Sequence, residues 1–142
     1  MSADEFKMQR IHNAMENTFD DDLQILLLAN CDGIPVISEM RHTSPELARF
    51  LSAMIATMSC IGINIAKQVA MGDPQDIRIE LELGTMIIKT LQNHFTLGVL
   101  MKKGQSNIIS NDRWTRFLQR IEHILFEEDA MTKNDLKKTV LY

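Results

Sequence analysis

The segment from Ser44 to Met71 is predicted to form one long helix that is apolar on almost every side. Thr43-Ser44-Pro45-Glu46 has the capping residue, the first-turn proline and the early acidic residue of a helix start. Gly72-Asp73-Pro74 marks its end. The first two thirds of the helix carry only two charged residues, Glu46 and Arg49. A helix on the surface of a small monomer shows one apolar stripe and one polar face. We therefore expect a protein that works by association.

Shorter patterns on either side of this helix predict five strands and two further helices. The strands are expected at Gln24–Ala29, Ile34–Glu39, Asp76–Leu83, Met86–Leu91 and Thr96–Lys102. Asp32-Gly33 favours a hairpin between the first two strands. A first helix begins at Ser2-x-x-Glu5, a capping box, and a last helix begins near Ser110 or Asn111. The order α-β-β-α-β-β-β-α, with short connections, predicts an α+β fold with a mostly antiparallel sheet.

The whole chain sets broad limits on its class. Its 142 residues suit one domain with a substantial core, which we place at residues 1–126. Residues 127–142 are expected to be a charged tail or a short extra helix. The net charge of −4 argues against nucleic acid as the main partner. The N-terminus is acidic and lacks the apolar segment of a secretory signal.

Two cysteines and one uncharged run narrow the location of the protein. Cys31 and Cys60 have no C-x-x-C spacing, which indicates two buried free thiols in a reducing compartment. The run Phe50–Ala66 is uncharged, but it contains Ser, Thr and Asn and is shorter than the roughly 20 residues that cross a bilayer. We therefore expect a cytoplasmic protein with no direct membrane insertion.

The sequence contains no motif for catalysis, for a cofactor or for a metal. It has no G-x-x-x-x-G-K-[ST], so no P-loop is expected, and no G-x-S-x-G. The four histidines are scattered without metal-ligand spacing: His12, His42, His94 and His123. Asp20-Asp21-Asp22 lacks the glycine and distal glutamate of an EF-hand. We expect no catalytic residues, no cofactor and no metal site, and hence a protein that is not an enzyme.

Several segments in order resemble the roadblock/dynein light chain domain family. Leu26–Val36 is similar to the first hairpin of that family, with an apolar strand, an Asp-Gly turn and a second strand. Ile77–Ile88 resembles the next strand, its glycine break and the fourth strand. Thr96–Met101 is similar to the fifth strand, and Ser106-Asn107-Ile108 to the start of the last helix. The resemblance covers roughly Met8 to Leu125.

This resemblance implies a fold and a role. The fold is a five-stranded antiparallel sheet with the long helix on one face and the two terminal helices on the other. The family dimerises through that helix and an edge strand. Its members, which include Mgl-type regulators, Ragulator subunits and dynein light chains, act without catalysis as scaffolds, activators or regulators of small Ras-like GTPases.

The long helix can be divided into two rows of side chains. The large residues are expected to lie on the sheet: Leu47, Phe50 or Leu51, Met54, Met58, Ile61, Ile65 and Val69. The other row is mostly small, and small residues let another backbone approach closely. We expect this row to be the dimer interface: Ala48, Ser52, Ala56, Ser59 or Cys60, and Ile63. The alternative is that a loop or the tail of the same chain covers it.

The alternating strand Asp76–Leu83 suggests a second part of the interface. Its isoleucines and leucines point one way, and Arg78, Glu80 and Glu82 point the other. These charges either form a solvated face or pair with those of a second copy, Arg opposite Glu, if two edge strands meet antiparallel. The second reading predicts a homodimer with one continuous sheet.

Three functions are consistent with the sequence. The first is a homodimeric regulator of a small Ras-like GTPase, with Arg49 and Lys67 as candidate GTPase contacts. Such a regulator would insert an arginine or hold the switch loops of the GTPase in order. The second is a structural scaffold without effect on nucleotide state. The third is a small-molecule sensor, which would need a cavity under the long helix.

Overall fold

The computed structural model describes residues 3–18, 23–41, 44–91, 95–104 and 112–125. Helix α1 spans Ala3–Thr18, and strands β1 and β2 span Leu23–Ala29 and Pro35–Met40. Helix α2 spans Pro45–Val69. The remaining elements follow in chain order: β3 Ile77–Glu80, β4 Gly84–Thr90, β5 Thr96–Lys102, and α3, described over residues 112–125.

The five strands form one antiparallel sheet in the order β2-β1-β5-β4-β3. The β1–β2 hairpin predicted from Asp32-Gly33 is present, and β4 also pairs with β5. The central pairing of β1 with β5 joins residues far apart in the chain, for example Leu26 with Val99. β2 and β3 form the two edges, so each has one side without a strand partner among the described residues.

Helices cover both faces of the sheet, as the family resemblance implies. Side chains of α1 and α3, such as Met15 and Ile121, are buried in one core cluster with Leu26 and Val99. Side chains of α2, such as Ile55, are buried in a second cluster with the opposite faces of the same strands. This α+β arrangement confirms the predicted fold class.

The start of α2 matches its sequence signals. The Ser44 side chain accepts a hydrogen bond from the Leu47 N–H at 3.2 Å, and Pro45 occupies the first turn. The end differs slightly from the prediction. Ala70 adopts the left-handed conformation (φ 53°) and donates its N–H to the Ala66 carbonyl. The helix therefore ends at Val69, three residues before Gly72.

β3 is shorter than the alternating pattern predicted. The strand ends at Glu80, and the chain turns back so that the Leu81 N–H donates to the Gly84 carbonyl. Leu81 and Leu83 are therefore exposed in the β3–β4 turn, where we had expected them to be buried. Gly84 is the first residue of β4. A side chain there would meet the Met101 carbonyl of β5, so the close pairing of these two strands requires a glycine.

Some sequence predictions fall outside the described residues. They concern the cap at Ser2, the acidic triplet Asp20–Asp22, the segment Ser106–Ile108 and the tail at residues 127–142. The domain boundary at residue 126 stays a prediction.

Candidate interaction surface

The two rows of α2 face opposite to the way that the sequence analysis assigned them. The buried residues of the helix are Ala48, Ser52, Ile55, Ala56 and Ser59, and they lie against the sheet of the same chain. Four of these were predicted to form the dimer interface. That assignment is wrong for Ala48, Ser52, Ala56 and Ser59, because side chains already covered by their own sheet offer no surface to a second copy.

The reason is that small residues bring α2 close to the sheet. At the centre of the contact, a Cβ added to Gly98 of β5 would lie 3.1 Å from Ile55 Cδ1. The Ser59 hydroxyl hydrogen-bonds the Thr90 hydroxyl at the end of β4. The inference that this row permits close approach was correct, but the partner is the sheet and not another protomer.

The large side chains of α2 point away from the sheet. We call them the apolar row: Leu47, Phe50, Met54, Ile61, Ile65 and Val69, each between 41% and 61% exposed. Leu51 and Met58, the other two residues of the predicted core row, are half-buried against the α2-side cluster. The prediction that the large row forms the core is therefore wrong for the six residues of the apolar row. Exposed apolar side chains grouped along one helix make this row a candidate interaction surface.

The apolar row lies on the flank of α2 that faces β3. Gly62 is at the side of the helix, and a Cβ added there would lie 3.2 Å from Ile77 Cδ1 of β3. Met58, one turn earlier, packs into the same cluster as Ile77 and Ile79. On a helical wheel Gly62 lies between the buried face and the apolar row, and Met58 falls within the angular range of the row itself. The row and the open edge of β3 therefore adjoin each other.

The open edge of β3 presents the backbone of Arg78 and Glu80. The Leu81 N–H donates a hydrogen bond to the Gly84 carbonyl. Hydrogen-bonded pairs alternate along an antiparallel ladder. The next residues of β3 whose backbone groups bond to β4 are therefore Ile79 and Ile77. The N–H and C=O groups of Arg78 and Glu80 consequently point outward. The predicted interface residues Arg78, Glu80 and Glu82 are all exposed. Glu80 also accepts a hydrogen bond from the Thr85 hydroxyl at 2.9 Å.

The opposite flank of α2 faces the β1–β2 turn. Gly33 in that turn (φ 78°) packs on the helix, since a Cβ there would lie 3.0 Å from Ala53 Cα. The candidate GTPase contacts Arg49 and Lys67 are exposed and fall on this flank by helical position. Cys60, exposed, and Ile63, half-buried, lie there too, so these two predicted interface residues are accessible but lie away from the apolar row.

The cysteines also differ from expectation. Both Cys31 and Cys60 are free thiols, but both are exposed, whereas the sequence analysis predicted two buried ones. Cys31 follows β1 in the turn, and Cys60 is on the flank of α2 beside that turn. No sequence pattern indicated that the two would share one side of the molecule.

By length and composition alone α2 could cross a membrane. In this fold, however, it lies along one face of a five-stranded sheet and buries its small residues there. Its apolar character is explained by contact with the sheet on one side and by the exposed apolar row on the other. This packing favours a soluble protein.

Comparison with solved structures identifies the fold. A roadblock/LC7 domain from Streptomyces avermitilis superposes with a TM-score of 0.67 at 15% identity, covering 85% of this chain and 96% of that domain. The gliding protein MglB from Thermus thermophilus superposes with a TM-score of 0.73 at 15% identity, covering 89% of this chain and 94% of MglB. An MglB protein in a tetrameric arrangement gives the same TM-score and identity, with coverages of 89% and 93%.

Sequence comparison alone does not reach this result. No family model matches the chain, and a search of curated proteins gives no match. At 15% identity the structural likeness concerns the fold, and it extends over nearly the whole of both chains. The resemblance deduced from short segments is thus confirmed in three dimensions: the chain has the roadblock fold of the roadblock/LC7 domains and of MglB.

Proposed function

We propose that this chain is a non-enzymatic, dimeric regulator of a small Ras-like GTPase, located in the cytoplasm. The observation that carries the proposal is the apolar row of α2 beside the open edge of β3. The roadblock fold supports the choice of partner, because the resemblance described above implies a small GTPase. The likeness to solved structures of MglB also supports the proposal, and one of these has a tetrameric arrangement.

A second copy of the chain is the proposed occupant of the apolar row and the β3 edge. Two β3 strands that meet antiparallel about Ile79 place Arg78 of one copy opposite Glu80 of the other. This is the register in which the outward backbone groups of both residues can bond. It also sets opposite charges across from each other twice, once on each side of the twofold axis. The two apolar rows then cover each other.

The GTPase would bind on a different face. Arg49 and Lys67 lie on the flank away from the apolar row, so dimerisation through that row leaves them accessible. Eighteen residues separate them, which at 1.5 Å per residue is about 27 Å along α2. This spacing suits a broad protein surface with acidic groups at both ends, and it suits a small ligand poorly.

The GTPase proposal is tested by affinity recovery from the native cell extract. The full chain serves as bait in the presence of GDP or of a non-hydrolysable GTP analogue, and bound proteins are identified by mass spectrometry. We expect a Ras-like GTPase whose recovery depends on the nucleotide. Arg49→Ala with Lys67→Ala should lower that recovery about tenfold, since each lost exposed charge contact contributes up to about 1 kcal/mol.

Gln68→Ala is the matched control, because Gln68 is also exposed on α2 but lies at the edge of the apolar row. It should leave recovery of the GTPase unchanged. Recovery of other subunits that does not depend on the nucleotide would contradict the regulator and support the structural scaffold. The small-molecule sensor has less support, since α2 rests directly on the sheet at Gly98 and Ile55.

A further inference from the structure

The two cysteines line one cavity. It has a volume of about 210 Å³ and lies between α2, the turn after β1 and the facing ends of β4 and β5. Cys31 of the turn and Cys60 of α2 both line it, together with residues that include Ala56, Ile63 and Thr90. They are the only cysteines in the sequence, and both are free and exposed.

The fold brings the thiols together through contact between the turn and the helix. Gly33 rests on Ala53, and Cys31 lies two residues before Gly33. Cys60 follows Ala53 by seven residues, which is about two turns and returns to the same flank of the helix. Ala56, between them on α2, is part of the cavity wall. Cys31 therefore lies over the stretch of α2 that ends at Cys60.

We propose that Cys31 and Cys60 form a dithiol site that reacts with low-molecular-weight disulfides of the glutathione type and closes to an intramolecular disulfide. Both thiols are exposed, so a small disulfide can reach either of them from solvent. The site lies on the flank opposite the apolar row, so it is separate from the proposed dimer contact. It also does not depend on the identity of any GTPase.

The reaction is a pair of thiol–disulfide exchanges. The thiolate of one cysteine attacks a sulfur of the small disulfide, whose S–S bond breaks. One small thiol leaves, taking up the proton that the attacking thiol lost, and a mixed disulfide remains on the protein. The second cysteine, as thiolate, attacks the protein sulfur of that mixed disulfide and releases the second small thiol with its own proton. Two protein thiols are oxidised, and one small disulfide is reduced to two thiols.

Closure requires the two Cα atoms to come within about 5.5 Å of each other. The turn supplies this movement more readily than the helix. Cys31 lies between Asn30 and Ile34, where the hydrogen bonds are local: Asn30 Oδ1 accepts from the N–H groups of Asp32 and Ile34 at 3.0 and 3.1 Å. Cys60 is fixed within α2. Closure would tie the β1–β2 turn to the flank that carries Arg49 and Lys67.

The test treats the full chain at low micromolar concentration with oxidised glutathione, blocks remaining thiols by alkylation, and measures the intact mass without reduction. We expect a monomer that has lost two hydrogen atoms, carries no glutathione and no alkyl group, and yields one cross-linked peptide containing both cysteines. The matched variants Cys31→Ser and Cys60→Ser should each carry a single glutathione adduct.

The same reaction in concentrated urea shows whether the fold is responsible. The ratio of internal disulfide to glutathione adducts should fall several-fold in the unfolded chain, because the thiols are no longer held at one cavity. A wild-type chain that keeps glutathione on its cysteines without internal closure would overturn the proposal. A covalent dimer in place of the internal disulfide, or an equal ratio in the folded and unfolded chain, would overturn it as well.

Discussion

Ser52 shows at the residue scale how α2 is arranged. Its side chain is completely buried on the helix face that meets the sheet, together with Ala48 and Ser59. Such small side chains contribute little burial energy themselves, but they allow Ile55 to reach Gly98 and Met86. The large residues of the apolar row, such as Phe50, remain exposed as a result. The face of α2 that meets the sheet is thus made mostly of small residues, with Ile55 as its one large buried side chain.

Enlarging Ser52 should therefore disturb the fold, whereas an equal enlargement at an exposed site should not. Ser52→Leu adds volume to a closed contact, and we expect it to lower the free energy of unfolding by about 1–3 kcal/mol. Asn64→Leu, on the exposed side of α2, should change it by less than about 0.5 kcal/mol. Urea denaturation followed by circular dichroism measures both. If Asn64→Leu proved the more damaging of the two, the small row would face outward as the sequence analysis first supposed.

The sequence could not assign the two rows of α2, and the reason is physical. Burying one Leu, Ile or Met side chain contributes about 1.5–3 kcal/mol, so a single chain considered alone favours the large row inside. Helical spacing shows which residues share a face, but it does not show which face the sheet covers. That choice depends on the sheet surface, where Gly98 leaves room for a close helix. It also depends on whether a second copy of the chain buries the large row, as proposed above.

Among the elements of the fold, β3 matters most for the proposed dimer, because of its short length and its open edge. It is only four residues long and has β4 on one side and no strand on the other among the described residues. Unpaired edges invite pairing with another chain, and proteins normally protect them. Arg78 and Glu80 place charges on this edge that repel many partners but match a second, antiparallel copy of the same strand.

The charge pattern of β3 predicts that one charge reversal weakens the dimer and that a second, compensating reversal restores it. Arg78→Glu places like charges opposite each other twice in the proposed dimer and should raise its dissociation constant about tenfold. Adding Glu80→Arg to the same chain restores opposite charges, so the double variant should dimerise nearly as well as wild type. Sedimentation velocity over a range of concentrations measures this. Equal weakening by the single and the double variant would rule out the proposed register.

Local signals predicted most of the elements, and their limits are clear at β3 and at the cysteines. The Ser44 cap, the Asp32-Gly33 turn and the β5 strand all appear where they were expected. The alternation from Asp76 to Leu83 continued past the true strand end, because the turn into Gly84 uses residues with the same pattern. The meeting of Cys31 and Cys60 depends on how a turn packs on a helix, which no local pattern encodes.

The whole molecule is a sheet with helices packed on both of its faces. α1 and α3 close one side with a large core cluster. α2 closes the other side with small residues and carries its large ones outward. The sheet order, with β1 paired to β5, rests on long-range contacts and was not predicted, since the family resemblance implied only a five-stranded antiparallel sheet. Among the described residues, the largest group of exposed apolar side chains on one element is the apolar row of α2, beside the open edge of β3.

The most direct test of this account is sedimentation equilibrium of the wild-type chain and of Phe50→Glu at micromolar concentration. We expect a wild-type dimer and a folded Phe50→Glu monomer, because a charge in the apolar row cannot be buried against a second copy without a large cost. Asn64→Glu, exposed on the same helix but outside the row, should remain a dimer. A monomeric wild-type chain, or a Phe50→Glu variant that still dimerises, would contradict the claim that this row is where the protein associates.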